Sequence, residues 1–514
     1  MNNSKELKAG ALLSYVQMGI GIIIGLVYTP VMIKLLGKNE YGLYNTVAST
    51  VSMLSVLSLG FNSGYIRFFA GYKKDNDSES IYQLNGLFII IFTIIGLVAL
   101  ACGLFLTRNL SLVFDKGLTA EEYITAKKLM ILMTAQLALS FPLSVFSNII
   151  AANEKFVFLK ALNIITSALS PLVTLPLLLM GYKSVALVTV GFVFLIITGC
   201  INIWFVRHKL GHRFIFRNPD KQVFKSLFGY TFFIAVNIII DQINWKVDNM
   251  LLGRFCGTSS VAVYAVGSAL NSYYLSFSTA ISGVFTPKIH KIVADCKNSG
   301  EELKHRFSEL FIKVGRIQFI VLALILSGLV FFGKPFIRFW VGDGYENSYW
   351  VALLLIAPVT APLIQNIGIE MQRALDKHKF RSLLYLAMAV INVICTVILC
   401  PRYGEIGAAA GTAGSLIIAN GIIMNIYYHK NCNIDILAFW KSIAKMLPAL
   451  VLPIVFASVL NRLIDEYSNS LLLVSIIAYT AVYSVSMWLI GLNRYEKGLA
   501  ISLIKKILPA KKCN

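Results

Sequence analysis

The stretch LLGKNEYGLY, residues 35–44, has a counterpart in LLGRFCGTSSVAVY, residues 251–264. Each precedes a long apolar run that ends on basic residues, Lys73 and Lys74 after the first copy and Lys288 and Lys291 after the second. The offset of roughly 220 residues holds further along, where AANEKFVF at 151–158 aligns with RALDKHKF at 373–380, Lys155 over Lys377 and Phe158 over Phe380. The chain is therefore built from an internal repeat, and the spans inside one copy fix the architecture of both.

Between these landmarks the sequence is apolar. Hydrophobic residues make up 57% and charged residues 14% of its 514 positions, and mean hydropathy is +0.72; a soluble chain carries about 25% charged residues. Apolar runs of the roughly 20 residues needed to cross a hydrocarbon core recur at 11–33, 44–66, 84–106, 129–151, 159–181, 184–206, 226–247, 259–286, 310–332, 347–369, 380–400, 406–428, 443–463 and 470–491. The sequence predicts an all-α integral membrane protein with about fourteen transmembrane helices. Six spans fill each copy, and six is even, so both copies enter the membrane in the same direction as parallel repeats. The expected organisation is an N-lobe at 1–210 (helices 1–6), a C-lobe at 211–430 (helices 7–12), and helices 13–14 with a basic cytoplasmic tail at 431–514. No gap between spans is long enough for a soluble domain. Lys5 and Lys8 precede an apolar span too long for a signal-peptide core, so an uncleaved first helix is expected.

The formal charge of +21 would suggest nucleic acid in a soluble protein. Here its placement explains it. With both termini in the cytoplasm, 33 Lys and Arg fall in inner segments and 13 in outer ones, concentrated in 207–225, 288–316, 373–381 and the tail residues Lys505, Lys506, Lys511 and Lys512. That obeys the positive-inside rule and suits contact with anionic membrane lipid; no nucleic-acid partner is implied. The eight cysteines show neither C-x-x-C nor metal spacing and read as small packing residues, so no metal site is expected.

Two facing six-helix bundles are the architecture of a rocking transporter with its site near the membrane midplane. The opening span with LLGKNEYGLY, LGFNSGYIRFFAGY at 59–72, DNMLLGRF at 248–255 and EIGAAAGTAGS at 405–415, in this order over fourteen spans, resemble the polysaccharide transporter (oligosaccharide flippase) family of the multidrug/oligosaccharidyl-lipid/polysaccharide exporter superfamily. The resemblance implies a flippase that moves undecaprenyl-diphosphate-linked oligosaccharide across the bacterial cytoplasmic membrane by alternating access. Lipid-linked oligosaccharide and other polysaccharide-assembly proteins are its implied partners, and it implies no cofactor beyond H⁺ or Na⁺ coupling.

Candidate site residues follow from polar groups placed in apolar surroundings. In NIIIDQINWKVDNMLLGRF, 237–255, Asn237, Asp241, Asn244 and Asp248 share one helical stripe at i, i+4, i+7 and i+11. A charge in a span normally turns to the bundle interior or to a wet cavity. Counted from Lys225 at about 1.5 Å per residue, Asp241 lies within the membrane. It is the expected ion-coupling group or, failing that, a helix-to-helix hydrogen-bond partner. Asp248 and Lys246 are expected at the outer rim as headgroup-level charges. A diphosphate needs cations, and Arg67, Lys155 and Arg373, the last with Glu370 as an ion-pair partner, are the candidates. Each can equally anchor a loop on the inner surface. Gln17, Gln365 and Asn237 are polar groups that sugar hydroxyls or neighbouring helices could use.

Enzymatic readings find no purchase. No G-x-x-x-x-G-K-[ST], H-E-x-x-H or G-x-S-x-G is present, all six histidines fall in inner loops, and no catalytic residue is assigned. A membrane glycosyltransferase or polymerase would need a large outer loop with catalytic groups. A multidrug antiporter, the alternative among transporters, would need a cavity dominated by carboxylates.

Overall fold

The computed structural model describes residues 2–507 apart from 115–117, 217–220, 297–298, 376 and 465–467. Part of the basic 207–225 loop, and Lys511 and Lys512, lie outside the described residues.

The described chain is helical throughout, without strands. Eleven helical runs among these residues are long and apolar enough to cross a membrane, and the protein is a multi-pass membrane protein. Lys379–Asn431 counts as one run of 53 residues, but Gly404 bends it at φ 58°, ψ −137°, three residues after Pro401. It thereby covers two of the expected spans. Lys221–Phe255 and Thr258–Gly283 are helices of 35 and 26 residues outside the eleven. Fourteen crossings stay an expectation.

Local chemistry sets the ends. Asp77 caps Ser78–Arg108 by accepting from the Ser80 amide at 3.0 Å. Thr119 and Glu122 form a reciprocal capping box at the start of Ala120–Ala152, satisfying amides that would otherwise lack partners. Along Ser78–Arg108, Phe88, Phe92 and Ala99 are buried while Ile94, Leu97 and Phe105 are exposed. In water that exposed face would be unfavourable; in a bilayer it is the lipid-facing side.

The chain packs as two units, one of residues 1–265 with 385–412, the other of 266–384 with 413–514. The first has an aromatic core of Phe61, Tyr65, Phe69, Phe88, Phe92 and Phe141. A second cluster of Leu43, Val47, Leu129 and Met130 lies in the same unit. Within this unit the two copies of the LLG motif pack on one another. A Cβ on Gly42 would lie 1.8 Å from the Thr258 carbonyl oxygen, and one on Gly253 would lie 2.5 Å from the Thr46 methyl. The Asn249 amide donates to Ser49 Oγ at 3.0 Å. Glycine at 42 and 253 is thus what lets the helices Lys38–Met53, Lys221–Phe255 and Thr258–Gly283 approach to backbone contact.

The second unit packs around Phe307, Phe311, Ile364, Phe439 and Met446. Its tail is held by charge. Arg316, buried in Gly300–Val341, donates from Nε to Glu496 Oε1 at 2.6 Å and from Nη2 to Glu496 Oε2 at 2.9 Å. The same guanidinium donates to the carbonyls of Ser442 at 2.9 Å and Gly491 at 2.8 Å. One bidentate pair and two carbonyl bonds therefore dock Arg494–Ile507 onto the bundle.

Candidate functional site

The most polar buried point of the first unit is Asp248, which is only 2% exposed. Three hydroxyls donate to its carboxylate: Tyr264 to Oδ2 at 2.6 Å, Thr412 to Oδ2 at 2.8 Å and Thr396 to Oδ1 at 3.2 Å. Three helices supply them, Lys221–Phe255 the acid, Thr258–Gly283 the phenol and His378–Leu416 both threonines. Thr412 Oγ1 also lies 3.3 Å from Asn392 Oδ1. A hydroxyl has one proton, so Thr412 donates either to Asp248 or to Asn392. With the acid ionised, Thr412 serves the carboxylate. With the acid protonated, Asp248 donates to Thr412, and the threonine turns its proton to Asn392. The centre can therefore accept a proton without leaving these buried polar atoms unpaired. Gly411 keeps it open, since a Cβ there would approach Thr396 Oγ1 at 3.1 Å and Asn392 Oδ1 at 3.3 Å.

This corrects one expectation. Asp248 is not an exposed rim charge but is enclosed by protein, the most enclosed member of its stripe. Asn237 and Asp241 are exposed, Asn244 and Lys246 half-buried and Asp248 buried, so the stripe passes from surface to interior along the helix. Residue counting addresses only position along the helix; lateral burial is set by Tyr264, Thr396 and Thr412 on other segments.

Arg67 is exposed on Phe61–Lys74, beside the buried Tyr65 and Phe69. Lys155 is half-buried at the N-cap position of Phe156–Leu179. Gln17 is half-buried, and its Oε1 has no hydrogen-bond partner among the described residues. These three belong with Asn237 and Asp241 to the first unit. Arg373 and Gln365 belong to the second. Arg373 is exposed and pairs with Glu370 at 2.6 Å, the i,i+3 partner expected. Gln365 is buried and donates to Asn425 Oδ1 at 2.8 Å, which also accepts from Trp440 Nε1 at 2.8 Å.

A cavity of about 610 Å³ opens within the first unit. Tyr28, Tyr44, Ser52, Gln136, Ser140 and Thr174 give it hydroxyl and amide groups, and no charged residue lines it. Such a wall suits a neutral, hydroxyl-bearing or amphipathic group. On the loop after Lys183–Trp204, His212 Nε2 accepts from the Asn153 amide at 2.9 Å, the same amide nitrogen that donates to the Ile149 carbonyl. Burial, and then the nearby Lys73 charge, hold the His212 imidazole below its ordinary titration range.

Among proteins of known name, the chain is 21% identical over 212 residues to the "Probable low-salt glycan biosynthesis flippase Agl15" of Haloferax volcanii. That match covers 41% of this chain and 43% of the relative. Among solved structures, the fold resembles the lipid II flippase MurJ in an inward closed conformation, with a TM-score of 0.72 at 19% identity over 92% of this chain and 97% of that one. It also resembles an inward-facing multidrug resistance MATE family transporter of the MOP superfamily, with a TM-score of 0.62 at 13% identity over 84% of this chain and 99% of that one. The model of one family, described as polysaccharide biosynthesis protein, matches residues 7–293, more than half of the 514, and to that family the chain belongs.

Proposed function

We propose that this protein is a flippase that carries a lipid-linked oligosaccharide across the bacterial cytoplasmic membrane for polysaccharide assembly. The observation that carries the reading is the family match on an all-helical, multi-pass chain; the flippase name of the Haloferax relative supports it. The lipid carrier is undecaprenyl diphosphate, both termini are cytoplasmic, and transport proceeds by alternating access between two conformations of different ligand affinity. Arg67, Lys155 and Arg373 are the diphosphate contacts, because exposed or half-buried cations, Arg67 midway along a short helix and the other two at helix ends, can meet an anion that travels at headgroup depth. Gln17 and Asn237 are the neutral groups assigned to the saccharide; Gln365, buried on Asn425, is assigned to helix-to-helix bonding instead.

An ion gradient drives the cycle through a carboxylate. Two are candidates, Asp241, exposed on the stripe, and Asp248, buried below it. Asp248 is favoured, since a carboxylate enclosed by three hydroxyls changes its hydrogen-bond pattern when it gains or loses a proton or a cation, and an exposed one changes little. The experiment is reconstitution into proteoliposomes with a fluorescent undecaprenyl-diphosphate oligosaccharide, read by quenching from one leaflet. Accelerated crossing that depends on the protein supports the proposal. Export of cationic drugs with no effect on the lipid would replace it with the antiporter reading, to which the fold likeness to a MATE transporter also lends weight.

A further inference from the structure

Eight residues past Asp248, Cys256 follows the end of Lys221–Phe255, and Cys400 lies four residues after Thr396 in His378–Leu416. Their Sγ atoms are 3.2 Å apart, and Cys256 Sγ is 3.3 Å from the Cys400 carbonyl oxygen. Both are thiols in the structure. The pair is separated by 144 residues in sequence, so only the packing of these two helices brings it together. A disulfide needs about 2.05 Å between sulfurs, roughly 1.2 Å closer than the 3.2 Å observed. Cys400 is buried and Cys256 partly exposed, which separates an accessible sulfur from an enclosed one. Among the other described cysteines, Cys102 and Cys200 are exposed, Cys395 is half-buried, and Cys296 and Cys432 are buried at other places.

We propose that Cys256 and Cys400 are a covalent modification site, an oxidisable dithiol that takes electrons out to a small-molecule disulfide and staples the two helices that carry Asp248, Thr396 and Thr412. In the first step the Cys256 thiolate attacks one sulfur of the small disulfide, releasing one thiolate and leaving a mixed disulfide on Cys256. In the second the Cys400 thiolate attacks the Cys256 sulfur and displaces the other thiolate. The two protein thiols are oxidised, the small disulfide is reduced to two thiols, and the two protons lost by the cysteines are taken up by those products. The order follows from access, Cys256 being within reach of a reagent and Cys400 within reach only of Cys256. The staple lies one helical turn from Thr396 and about two from Asp248, so it restrains the polar centre without occupying it.

The site rests on thiol geometry alone and stands or falls independently of the transport reading. The test uses the full-length protein in detergent micelles, incubated with oxidised glutathione, quenched with N-ethylmaleimide, digested without reduction and analysed by mass spectrometry. A peptide linking Cys256 to Cys400, lost on treatment with a phosphine reductant and absent in C256S and in C400S, is the expected result. Cys102 and Cys200, on the exposed apolar faces of their helices, serve as internal controls that enter no cross-link. Recovery of both Cys256 and Cys400 as maleimide or glutathione adducts, with no linked peptide, would overturn the proposal and return them to small packing residues. Because the wild-type protein alone decides between these results, a variant that fails to fold does not blunt the test.

Discussion

Replacing Asp248 by asparagine separates charge from shape at the centre of the first unit. The carboxylate accepts two hydroxyls at Oδ2, Tyr264 and Thr412, and one at Oδ1, Thr396. An asparagine that puts its oxygen in the Oδ2 place keeps the first two. Its amide then faces Thr396, whose hydroxyl can turn and accept. Both retained hydroxyls keep an acceptor, so the main loss is the difference between charge-assisted and neutral hydrogen bonds, about 1 kcal/mol for each. Alanine instead leaves the Tyr264 and Thr396 hydroxyls without their acceptor, at about 1–3 kcal/mol each, turns Thr412 to Asn392, and opens a cavity. Asp248→Asn is therefore expected to lower the detergent melting temperature slightly and Asp248→Ala strongly. In proteoliposomes Asp248→Asn should flip lipid-linked substrate at a rate that no longer responds to an imposed H⁺ or Na⁺ gradient, whereas wild type responds. Retained ion dependence in Asp248→Asn together with its loss in Asp241→Asn would refute this reasoning and assign coupling to the exposed carboxylate.

Further substitutions probe the proposed anion contacts, the tail and the loop that carries His212. Arg67→Ala is expected to abolish complementation of a flippase-deficient strain and Arg67→Lys to retain part of it, since lysine keeps the charge and loses the bidentate fork; normal complementation by a well-expressed Arg67→Ala protein would reduce Arg67 to an anchor. Glu496→Ala leaves the Arg316 guanidinium buried without its carboxylate and is expected to cost about 3–5 kcal/mol, seen as a large drop in melting temperature, while Arg316→Met with Glu496→Leu recovers most of it; equal losses in the single and double variants would contradict this. At His212 the folded-state pKa lies below its ordinary value, with burial and then Lys73 as the causes. The unfolded state therefore binds the proton more readily, so stabilisation by the Asn153 contact is complete above about pH 6.5 and falls as pH drops through and below that value. Protection of the amides in 206–216, that is exchange relative to the intrinsic rate at each pH, should fall between pH 7 and pH 5.5 in wild type and not in His212→Gln, which keeps an acceptor that does not titrate.

The helices were legible because a bilayer leaves an apolar run of about 20 residues little choice but to satisfy its backbone internally. The Arg373–Glu370 pair was legible for a similarly local reason, two residues three apart on one helix face. What the sequence did not disclose is everything that depends on which helix lies beside which. The two LLG motifs announce a repeat, yet nothing in their letters says that Gly42 of one copy meets Thr258 of the other. Glu496 looked like one residue of a basic tail, and its partner Arg316 lies 180 positions away.

Asp248 shows where the boundary falls. Hydropathy measures position along the membrane normal, and Lys221–Phe255, at 35 residues, is about 52 Å long at 1.5 Å per residue, well beyond a hydrocarbon core of about 30 Å. A helix that long must carry polar residues past the core, so finding Asp248 near one end says nothing about whether water or protein surrounds it. The deciding groups are hydroxyls, and threonine and tyrosine inside EIGAAAGTAGS or SSVAVY barely disturb a hydropathy profile. One signal was available: Asp248 continues the Asn237–Asp241–Asn244 stripe, and a stripe that keeps its polar character beyond the apolar run is being solvated by something. The structure identifies that solvent as Tyr264, Thr396 and Thr412. Since protein hydroxyls are oriented donors and water is not, moving Asp248 from one to the other converts a surface charge into a site whose protonation is felt by three helices at once.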